Sequence, residues 1–473
     1  MTPTDHAGET EARGSPAAPK LVVYLSGRSN VGGGGESYLL GVLKYLDRSR
    51  FEPLVVLPAE GTLRPAVEAL GTEVQVLEAN YSSLSKPQDW YAGLEALPDR
   101  VRALAGLLRR RRASIVHTNT NKSFEGAMAA SLAGVHHVYV CHIEYQPELP
   151  VFRRVPLDRH SFAQAMGELS TTVIAVARGL AESLSPPIPR EKIRVIMNGV
   201  EREKFDAALA QRDGSLRSSL GIAADAPLAI GVGRVTPDKG FATFVEAAAM
   251  AARSRPDLHC LVVGKPENEE YHRRLVARVR ELGLGDRFRF LGYRTDVPRL
   301  LAESDIFVLT SEREGGPYVL VEAMLCACAP IATRCGGIVE DVIADGDTGF
   351  LADVGDAATI ADRIVQLCNR ERREEMAARA RAKVGVGFDI GASVAALMDA
   401  YDAALREPRP RAGSIGLDLL LQASREIGSL GGRVVELERR LQELEGARNS
   451  VGSRVFGGGL RQAIRFLRSD RSS

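Results

Sequence analysis

Two carboxylates that follow a short apolar run could bind hydroxyl groups. Glu314 and Glu322 come just after Ile306 to Leu309, a run that predicts a buried parallel strand. Pro317 and the apolar residues after it predict a helix, so Glu314 is expected in the strand-to-helix turn and Glu322 in the helix. Such a turn offers backbone N–H groups to an anion. The two carboxylates would repel the anion itself, but they can accept hydrogen bonds from hydroxyl groups on the same ligand. The stretch therefore predicts a site for a phosphorylated polyol such as a nucleotide sugar.

Two cations form the second chemical signal. Arg234 and Lys239 lie just after another predicted strand, at 228–233, and just before Gly240, which opens a helix. Cations at a strand-to-helix turn can hold a diphosphate and stabilise it as it departs. We therefore expect these side chains to supply the positive charge that a nucleoside diphosphate requires.

The elements that must position these residues alternate between strands and helices. In the first half, the pattern predicts strands near 21–26, 54–57, 74–77, 115–118, 138–141, 172–176 and 193–197. In the second half, it predicts strands at 228–233, 258–263, 287–291 and 305–310, after a connection over 201–226 that is irregular in part. The fold class is therefore α/β, with two Rossmann-like doubly wound domains facing a cleft and a helical C-terminal tail.

Composition excludes several other classes of protein. The 473-residue chain is 45% hydrophobic and 26% charged with a formal net charge of +1, which argues against a nucleic-acid partner. An apolar run of membrane-spanning length, about 18 residues, is missing from the sequence. The six cysteines are typical of small core residues in a reducing cytoplasm, so a cytoplasmic location is expected. Residues 1–19 are polar and acidic, which predicts a disordered start.

Taken together, the motifs resemble those of family four retaining glycosyltransferases, which have the two-Rossmann-domain GT-B fold. The resemblance covers about residues 20–405. It is carried by G-R-x-x-x-x-K-G at Gly233 to Gly240, E-x7-E at Glu314 and Glu322, N-G-V-E at Asn198 to Glu201, G-G-I-x-E at Gly336 to Glu340, and D-G-x-T-G at Asp345 to Gly349. Each motif is moderately specific, but their order and spacing together are highly specific.

The resemblance implies a role for each matching residue. Glu314 would contact the hydroxyls of the donor sugar, Glu322 the ribose of the nucleotide, and Arg234 and Lys239 the diphosphate. His142, at the end of a predicted strand, would approach the sugar and the acceptor. The implied donor-binding set is Gly33, Gly34, Arg234, Lys239, Glu314, Gly315, Gly316 and Glu322, the catalytic set is Glu314, His142, Arg234 and Lys239, and the acceptor side is Asn119 and His142.

The reaction implied by the resemblance is transfer of a sugar, with retention of anomeric configuration, to a hydroxyl acceptor such as a glycan or a lipid-linked glycan. A bacterial cell-surface polysaccharide or glycolipid is the expected product class. The nucleoside diphosphate sugar is a co-substrate, and neither a cofactor nor a metal is expected. Asp345-Gly346-Asp347 imitates a metal-binding D-x-D motif, but it precedes Thr348-Gly349 and is predicted to form a turn.

Two departures from the family pattern limit these expectations. Gly316 stands where the family commonly has a bulky residue, so the choice of sugar stays open. Asn119 stands where a second histidine often follows the position of His117, so the acceptor side is less defined. A nucleotide-sugar epimerase and a non-catalytic sugar-nucleotide-binding scaffold remain alternatives. A dinucleotide oxidoreductase is disfavoured, because Ser37 replaces the third glycine after Gly32 and Gly34.

The boundaries predicted from sequence are 20–200 for the acceptor domain, 201–405 for the donor domain with its linker and closing helix, and 406–473 for the tail. In the tail, apolar residues recur in alternating steps of three and four, at Leu420, Ala423, Ile427, Leu430, Val434, Leu437, Leu441 and Leu444. This seam predicts either a short coiled coil that self-associates or a helix packed on its own protein. Beyond it, 454–468 is basic and amphipathic, which suits peripheral contact with the inner face of a membrane as well as a solvated end.

Overall fold

Parallel β-sheets form the centre of both halves of the chain. The computed structural model describes residues 18–78, 87–119, 123–143, 158–385, 387–409 and 415–450. Within these ranges one sheet has seven strands, in the order β3-β2-β1-β4-β5-β6-β7, and the other has six, in the order β10-β9-β8-β11-β12-β13. Paired strands run parallel throughout both sheets. The predicted fold class is confirmed.

The strands of the first sheet are β1 Lys20–Ser26, β2 Phe51–Leu57, β3 Glu73–Val76, β4 Ile115–Asn119, β5 His136–Cys141, β6 Thr172–Ala175 and β7 Ile193–Val195. Those of the second sheet are β8 Leu228–Val232, β9 His259–Val263, β10 Phe288–Phe290, β11 Ile306–Leu309, β12 Ala329–Thr333 and β13 Phe350–Ala352. The central strands are buried along their whole length, because helices cover both faces of each sheet.

Helices cover the first sheet and connect it to the second. They are α1 Gly34–Tyr45, α2 Leu63–Glu68, α3 Pro87–Arg110, α4 Glu125–Ala133, α5 Arg159–Leu169, α6 Arg178–Leu184, α7 Arg202–Ala210 and α8 Ser215–Ser219. The helices that follow are α9 Phe241–Ala251, α10 Glu269–Glu281, α11 Val297–Glu303, α12 Tyr318–Leu325, α13 Val339–Val342, α14 Ala357–Leu367, α15 Arg370–Val384, α16 Ile390–Arg406 and α17 Ile415–Ser450.

Some elements differ from the sequence-based expectation. Strands β12 and β13 were not predicted, because they are short and follow helix α12 and a turn without a clear periodic signal. The connection at 201–226 contains helices α7 and α8. Helix α3 extends over 24 residues from Pro87 to Arg110 with Pro98 inside it, although proline is unfavourable in a helix interior.

The closing helix and the tail both pack on the first domain. The side chain of Tyr401 on α16 lies edge-on to Phe51 of β2, with ring centroids 5.3 Å apart, although the sequence grouped this helix with the second domain. Helix α17 lies along α3. Of the regions predicted to be disordered or basic and amphipathic, 1–17 and 451–473 lie outside the described residues. All six cysteines are buried free thiols.

The order of the strands decides which loops meet. Each sheet begins in its middle, at β1 or β8: the next two strands are added on one side of that strand and the later strands on the other, so the strand order switches sides between β1 and β4 and between β8 and β11. Open parallel sheets bind ligands beyond the carboxyl ends of their strands at this switch point. The loops that follow β1, β4 and β5 in the first domain, and β8 and β11 in the second, are therefore the ones that position the site.

Candidate functional site

A direct ion pair joins the two predicted loops of the second domain. Lys239 Nζ lies 2.5 Å from Glu314 Oε1, and the Ser311 hydroxyl donates to the same oxygen at 2.7 Å. Both charged side chains are largely buried, with 19% and 12% of their surface exposed. The pair forms because β8 and β11 are neighbours, so the loops after them lie side by side. Glu314 thus forms an ion pair with the cation that was predicted to hold a phosphate.

Glu322 is in a different electrostatic environment. It lies on α12, partly buried, and its carboxylate makes no hydrogen bond or ion pair with the described residues. Burial raises the pKa of this carboxyl from 4.5 to about 7, against a smaller lowering by the charge of Lys204. A desolvated carboxylate without a partner is costly in a folded protein. Hydroxyl donors from a ligand would satisfy it.

Arg234 is held away from the Lys239–Glu314 pair by another carboxylate. Its guanidinium donates to Glu267 Oε2 at 2.6 Å, and Glu267 Oε1 lies 3.8 Å from Arg28 of the first domain. Glu267 therefore connects a cation from each side of the cleft. Neither Arg28 nor Glu267 was predicted as a site residue from the sequence motifs. Both residues could have been proposed from the sequence, because Arg28 follows β1 and Glu267 follows β9 at the carboxyl edges of the two sheets, where ligands bind.

This ionic bridge borders a cavity of about 660 Å³ between the domains. The glycine-rich loop from Gly27 to Gly32 forms one wall, and Arg234, Gly264 and Arg294 form part of the other. A space of this size accommodates a small organic ligand. Lys239, Glu314 and His142 do not line the cavity, so the predicted site residues lie in two adjoining parts of the cleft.

The first-domain side of the cleft is built from neutral hydrogen bonds. The Asn119 side-chain amide donates to the carbonyl of Gly35 at 2.8 Å, and His142 Nε2–H donates to Asn119 Oδ1 at 2.5 Å. Burial lowers the pKa of His142 to about 4, so the imidazole is neutral at pH 7. These contacts tie the end of β4 and the residue after β5 to the first turn of α1.

The two sides meet at glycines. A Cβ atom on Gly315 would overlap the carbonyl group of His142, and one on Gly34 would lie 3.5 Å from the ring of Tyr318. A side chain at Gly316 would lie 3.1 Å from the Asn198 amide nitrogen. The structure therefore gives Gly315 and Gly316 a packing role: they allow the second-domain turn to pass directly beneath the first domain. Gly33 precedes α1 as its N-cap residue.

Two tyrosines that sequence analysis missed also lie here. The ring of Tyr38 on α1 lies edge-on to His142, with centroids 5.0 Å apart, and Tyr318 opens α12. Within the part of the chain that the structure describes, neither hydroxyl has a hydrogen-bond partner, although both oxygens are buried. Only their position at helix N-terminal turns beside glycines could have indicated them from the sequence.

His117 and the D-x-D-like stretch are structural features. His117 Nδ1 hydrogen-bonds the buried hydroxyl of Tyr401 at 2.5 Å, beneath the cleft. Asp345 accepts a hydrogen bond from the backbone N–H of Leu351 at 2.9 Å, and Asp347 pairs with Arg379 at 2.8 Å. The stretch from Asp345 to Asp347 forms the turn that the sequence predicted.

Comparisons with known proteins agree with this architecture. The model of the "Glycosyl transferases group 1" family matches residues 213–383, and the model "Glycosyltransferase Family 4" matches 32–204. Alpha-maltose-1-phosphate synthase of Mycolicibacterium smegmatis is 30% identical over 274 residues, which cover 54% of this chain and 69% of that protein. The chain belongs to the glycosyl transferases group 1 family.

Other relatives of this glycosyltransferase carry different names. N-acetyl-alpha-D-glucosaminyl L-malate synthase of Bacillus anthracis is 34% identical over 220 residues, or 46% of this chain, and the match spans about half, 55%, of that relative. UDP-Gal:alpha-D-GlcNAc-diphosphoundecaprenol alpha-1,3-galactosyltransferase of Escherichia coli is 28% identical over 311 residues, 63% of this chain and 78% of that enzyme.

Solved structures show the same fold. HepE from Anabaena, crystallised in complex with UDP, has a TM-score of 0.67 and 25% identity over 81% of this chain and 100% of that chain. WaaG, a glycosyltransferase involved in lipopolysaccharide biosynthesis, has a TM-score of 0.62 at 16% identity, over 82% of this chain and 100% of that chain. This glycosyltransferase therefore has the GT-B architecture of two Rossmann-like domains around a cleft. Within the described residues, its helices are all too short or too polar to cross a membrane.

Proposed function

We propose that this chain transfers a sugar from a nucleoside diphosphate sugar to a hydroxyl of a glycan or lipid-linked acceptor, with retention of anomeric configuration and without a metal ion. The observation that carries the proposal is the Lys239–Glu314 pair, which lies at the switch point of the second sheet directly opposite His142. It places a cation for phosphate and a carboxylate for sugar hydroxyls against the wall that an acceptor would approach.

The proposed donor replaces contacts that the protein makes with itself. The diphosphate takes Lys239 from Glu314 and Arg234 from Glu267, so each cation exchanges one anionic partner for another. The released Glu314 carboxylate then accepts hydrogen bonds from the sugar. Glu322 accepts hydrogen bonds from the ribose hydroxyls, which would stabilise this desolvated carboxylate.

The two cations also stabilise the leaving diphosphate as negative charge develops on it. They supply in fixed positions the positive charge that a divalent ion provides in other transferases. Because His142 is neutral and its Nε2–H is directed at Asn119, its proposed role is to shape and polarise the acceptor side. Gly33, Gly34 and Gly35 would bring the first turn of α1 close to the donor phosphate.

The decisive test is to incubate the purified chain with a panel of nucleoside diphosphate sugars and to measure thermal stabilisation, then transfer to glycan and lipid-linked acceptors. A donor at about 100 times its dissociation constant adds about 2.7 kcal/mol to the free energy of unfolding. Transfer with the product in the donor's anomeric configuration supports the proposal. An isomerised donor without an acceptor would identify an epimerase, and binding without transfer would identify a scaffold.

A further inference from the structure

Helix α17 presents two different faces, of which the structure covers one. The covered face contains Leu421, which is 1% exposed, and Gly428, and it lies on α3. The Arg425 guanidinium at its edge donates to Asp99 of α3 at 2.5 Å. The tail helix is thus anchored to the first domain.

The glycines of this helix explain how closely it approaches α3. A Cβ on Gly428 would overlap the backbone of Tyr91 and Glu95, and one on Gly431 would overlap the Tyr91 ring. A helix-interior glycine costs about 1 kcal/mol relative to alanine, so close packing is the structural reason for these two. They lie on the α3 side and do not interrupt the apolar seam.

The seam itself remains in solvent. Ile427, Leu430, Val434 and Leu437 are 52%, 56%, 43% and 64% exposed, and they form a continuous stripe. Large apolar side chains that are exposed singly are ordinary, whereas a continuous stripe marks an interaction surface. The stripe lies roughly 130° around the helix from the α3 face, given the 100° turn per residue, so a third helix can pack there without displacing α3.

The residue types along the seam specify the partner. In heptad notation, the a positions are Leu420, Ile427, Val434 and Leu441, and the d positions are Ala423, Leu430, Leu437 and Leu444. β-branched residues at a and leucine at d favour a parallel two-stranded coiled coil. Here the central a positions are Ile427 and Val434, and the central d positions are Leu430 and Leu437.

The flanking charges agree with a parallel, in-register pair. In that arrangement a g residue faces the e residue five positions later on the other helix. Arg433 at g then lies opposite Glu438 of the second copy. The e positions beside α3 are the small residues Ser424 and Gly431, which leave room where three helices meet.

We propose that this exposed seam binds the same seam of a second copy of the chain, forming a parallel two-stranded coiled coil that joins two transferases. Because α17 is also anchored to α3, the dimer fixes the first domains of the two copies to a common axis.

Sedimentation velocity of the full chain at concentrations up to about 50 µM tests this proposal. Wild type should be dimeric, and the double variant Leu430→Lys with Leu437→Lys should raise the dimer dissociation constant at least about 100-fold, because four buried leucines are lost per dimer. Met250→Lys is the matched control, since it changes an exposed apolar residue of another helix, 40% exposed, and should leave the dimer intact. Unchanged thermal unfolding and transferase activity would show that the variants fold.

A charge exchange tests the register. Arg433→Glu alone and Glu438→Arg alone should each weaken the dimer by about 10-fold, and the combined exchange should restore it. A wild-type chain that stays monomeric would overturn the proposal, whether the seam then binds anionic vesicles or nothing. A dimer that survives the leucine substitutions, or single charge variants that the combined exchange does not rescue, would overturn the proposed interface or its parallel register.

Discussion

The carboxyl edges of the two sheets face the same cleft but differ in chemistry. Beyond β8 and β11 the loops carry ionic contacts, Lys239 with Glu314 and Arg234 with Glu267. Beyond β4 and β5 they carry neutral hydrogen bonds, from His142 to Asn119 and from Asn119 to Gly35. A doubly wound sheet therefore determines where a ligand binds, and the residues after its strands determine which ligand it is.

The difference suggests a division of labour between the domains. In the second domain, a charged ligand can replace the carboxylate that pairs with each cation. The electrostatic cost is small, because each cation keeps an anionic partner. A neutral network cannot make such an exchange, but it holds its shape without counter-ions. Charge recognition thus belongs mainly to the second domain, to which the first adds Arg28, and shape belongs to the loops after β4 and β5 of the first domain. The following predictions test that division.

The largest effect is expected from Lys239→Ala. Loss of this cation removes stabilisation of the departing diphosphate, and kcat should fall by about 10²- to 10³-fold. Steady-state turnover of the donor measures it. Arg253→Ala, at an exposed position of the same domain, should leave kcat unchanged. Thermal unfolding separates catalysis from stability, because the substitution also leaves the largely buried Glu314 without its cation. Near-normal turnover in folded Lys239→Ala would show that the charge of Lys239 is not needed for catalysis.

Glu322 should respond most strongly to pH. Its folded pKa of about 7 lies above the unfolded value of 4.5, so the native state binds more protons between these pH values. The free energy of unfolding should therefore fall as pH rises from 4.5 to 7.5 without donor, and Glu322→Gln should reduce this fall by up to about 3 kcal/mol. Urea unfolding at several pH values measures the difference.

The matched variant for this measurement is Glu203→Gln, an exposed carboxylate on α7, which should track wild type at every pH. Saturating donor should also flatten the wild-type profile, because ribose hydroxyls stabilise the ionised carboxylate. If Glu322→Gln showed the same pH dependence as wild type, this carboxylate would not be the desolvated group that the site requires.

Substitution of Glu267 should change the donor KM by a smaller factor, and the direction of that change shows what Glu267 does. If it competes with the diphosphate for Arg234, Glu267→Gln should lower the donor KM by about 3- to 10-fold with kcat unchanged, since the exposed pair is weak. Glu270→Gln, an exposed neighbour on α10, is the control. A raised KM would instead show that Glu267 positions Arg234 for the donor.

Much of this arrangement was predictable because it follows from local sequence. Apolar runs predicted all seven strands of the first sheet, and the adjacency of the turns holding Lys239 and Glu314 followed from parallel strands whose carboxyl ends share an edge. What could not be predicted depends on long-range packing. Nothing local indicates that the tail helix packs on α3 through Gly428, or that α16 places Tyr401 beside His117.

The missed site residues have the same cause. Glu267 and Arg28 lie 239 positions apart and meet only when the domains face each other. The unpartnered hydroxyls of Tyr38 and Tyr318 also depend on that approach. Sequence motifs identify residues that act through the local loop, whereas residues that bridge the cleft become visible only in the folded chain.

The smallest effect on activity is expected from His142→Gln, in the neutral hydrogen-bond network of the first domain. It tests most directly whether that network works without charge. His142→Gln keeps a side-chain N–H that can donate to Asn119, so activity should stay within about 10-fold of wild type and acceptor KM should change more than donor KM. His142→Ala removes both the N–H that donates to Asn119 and the ring that packs on Tyr38. It should therefore lower activity further and raise the acceptor KM more than His142→Gln does. Because the pKa of His142 is about 4, its ionisation should add no inflection to the rate between pH 6 and 8. An inflection near pH 6.5 that disappears in His142→Gln would show that this wall, too, works through charge.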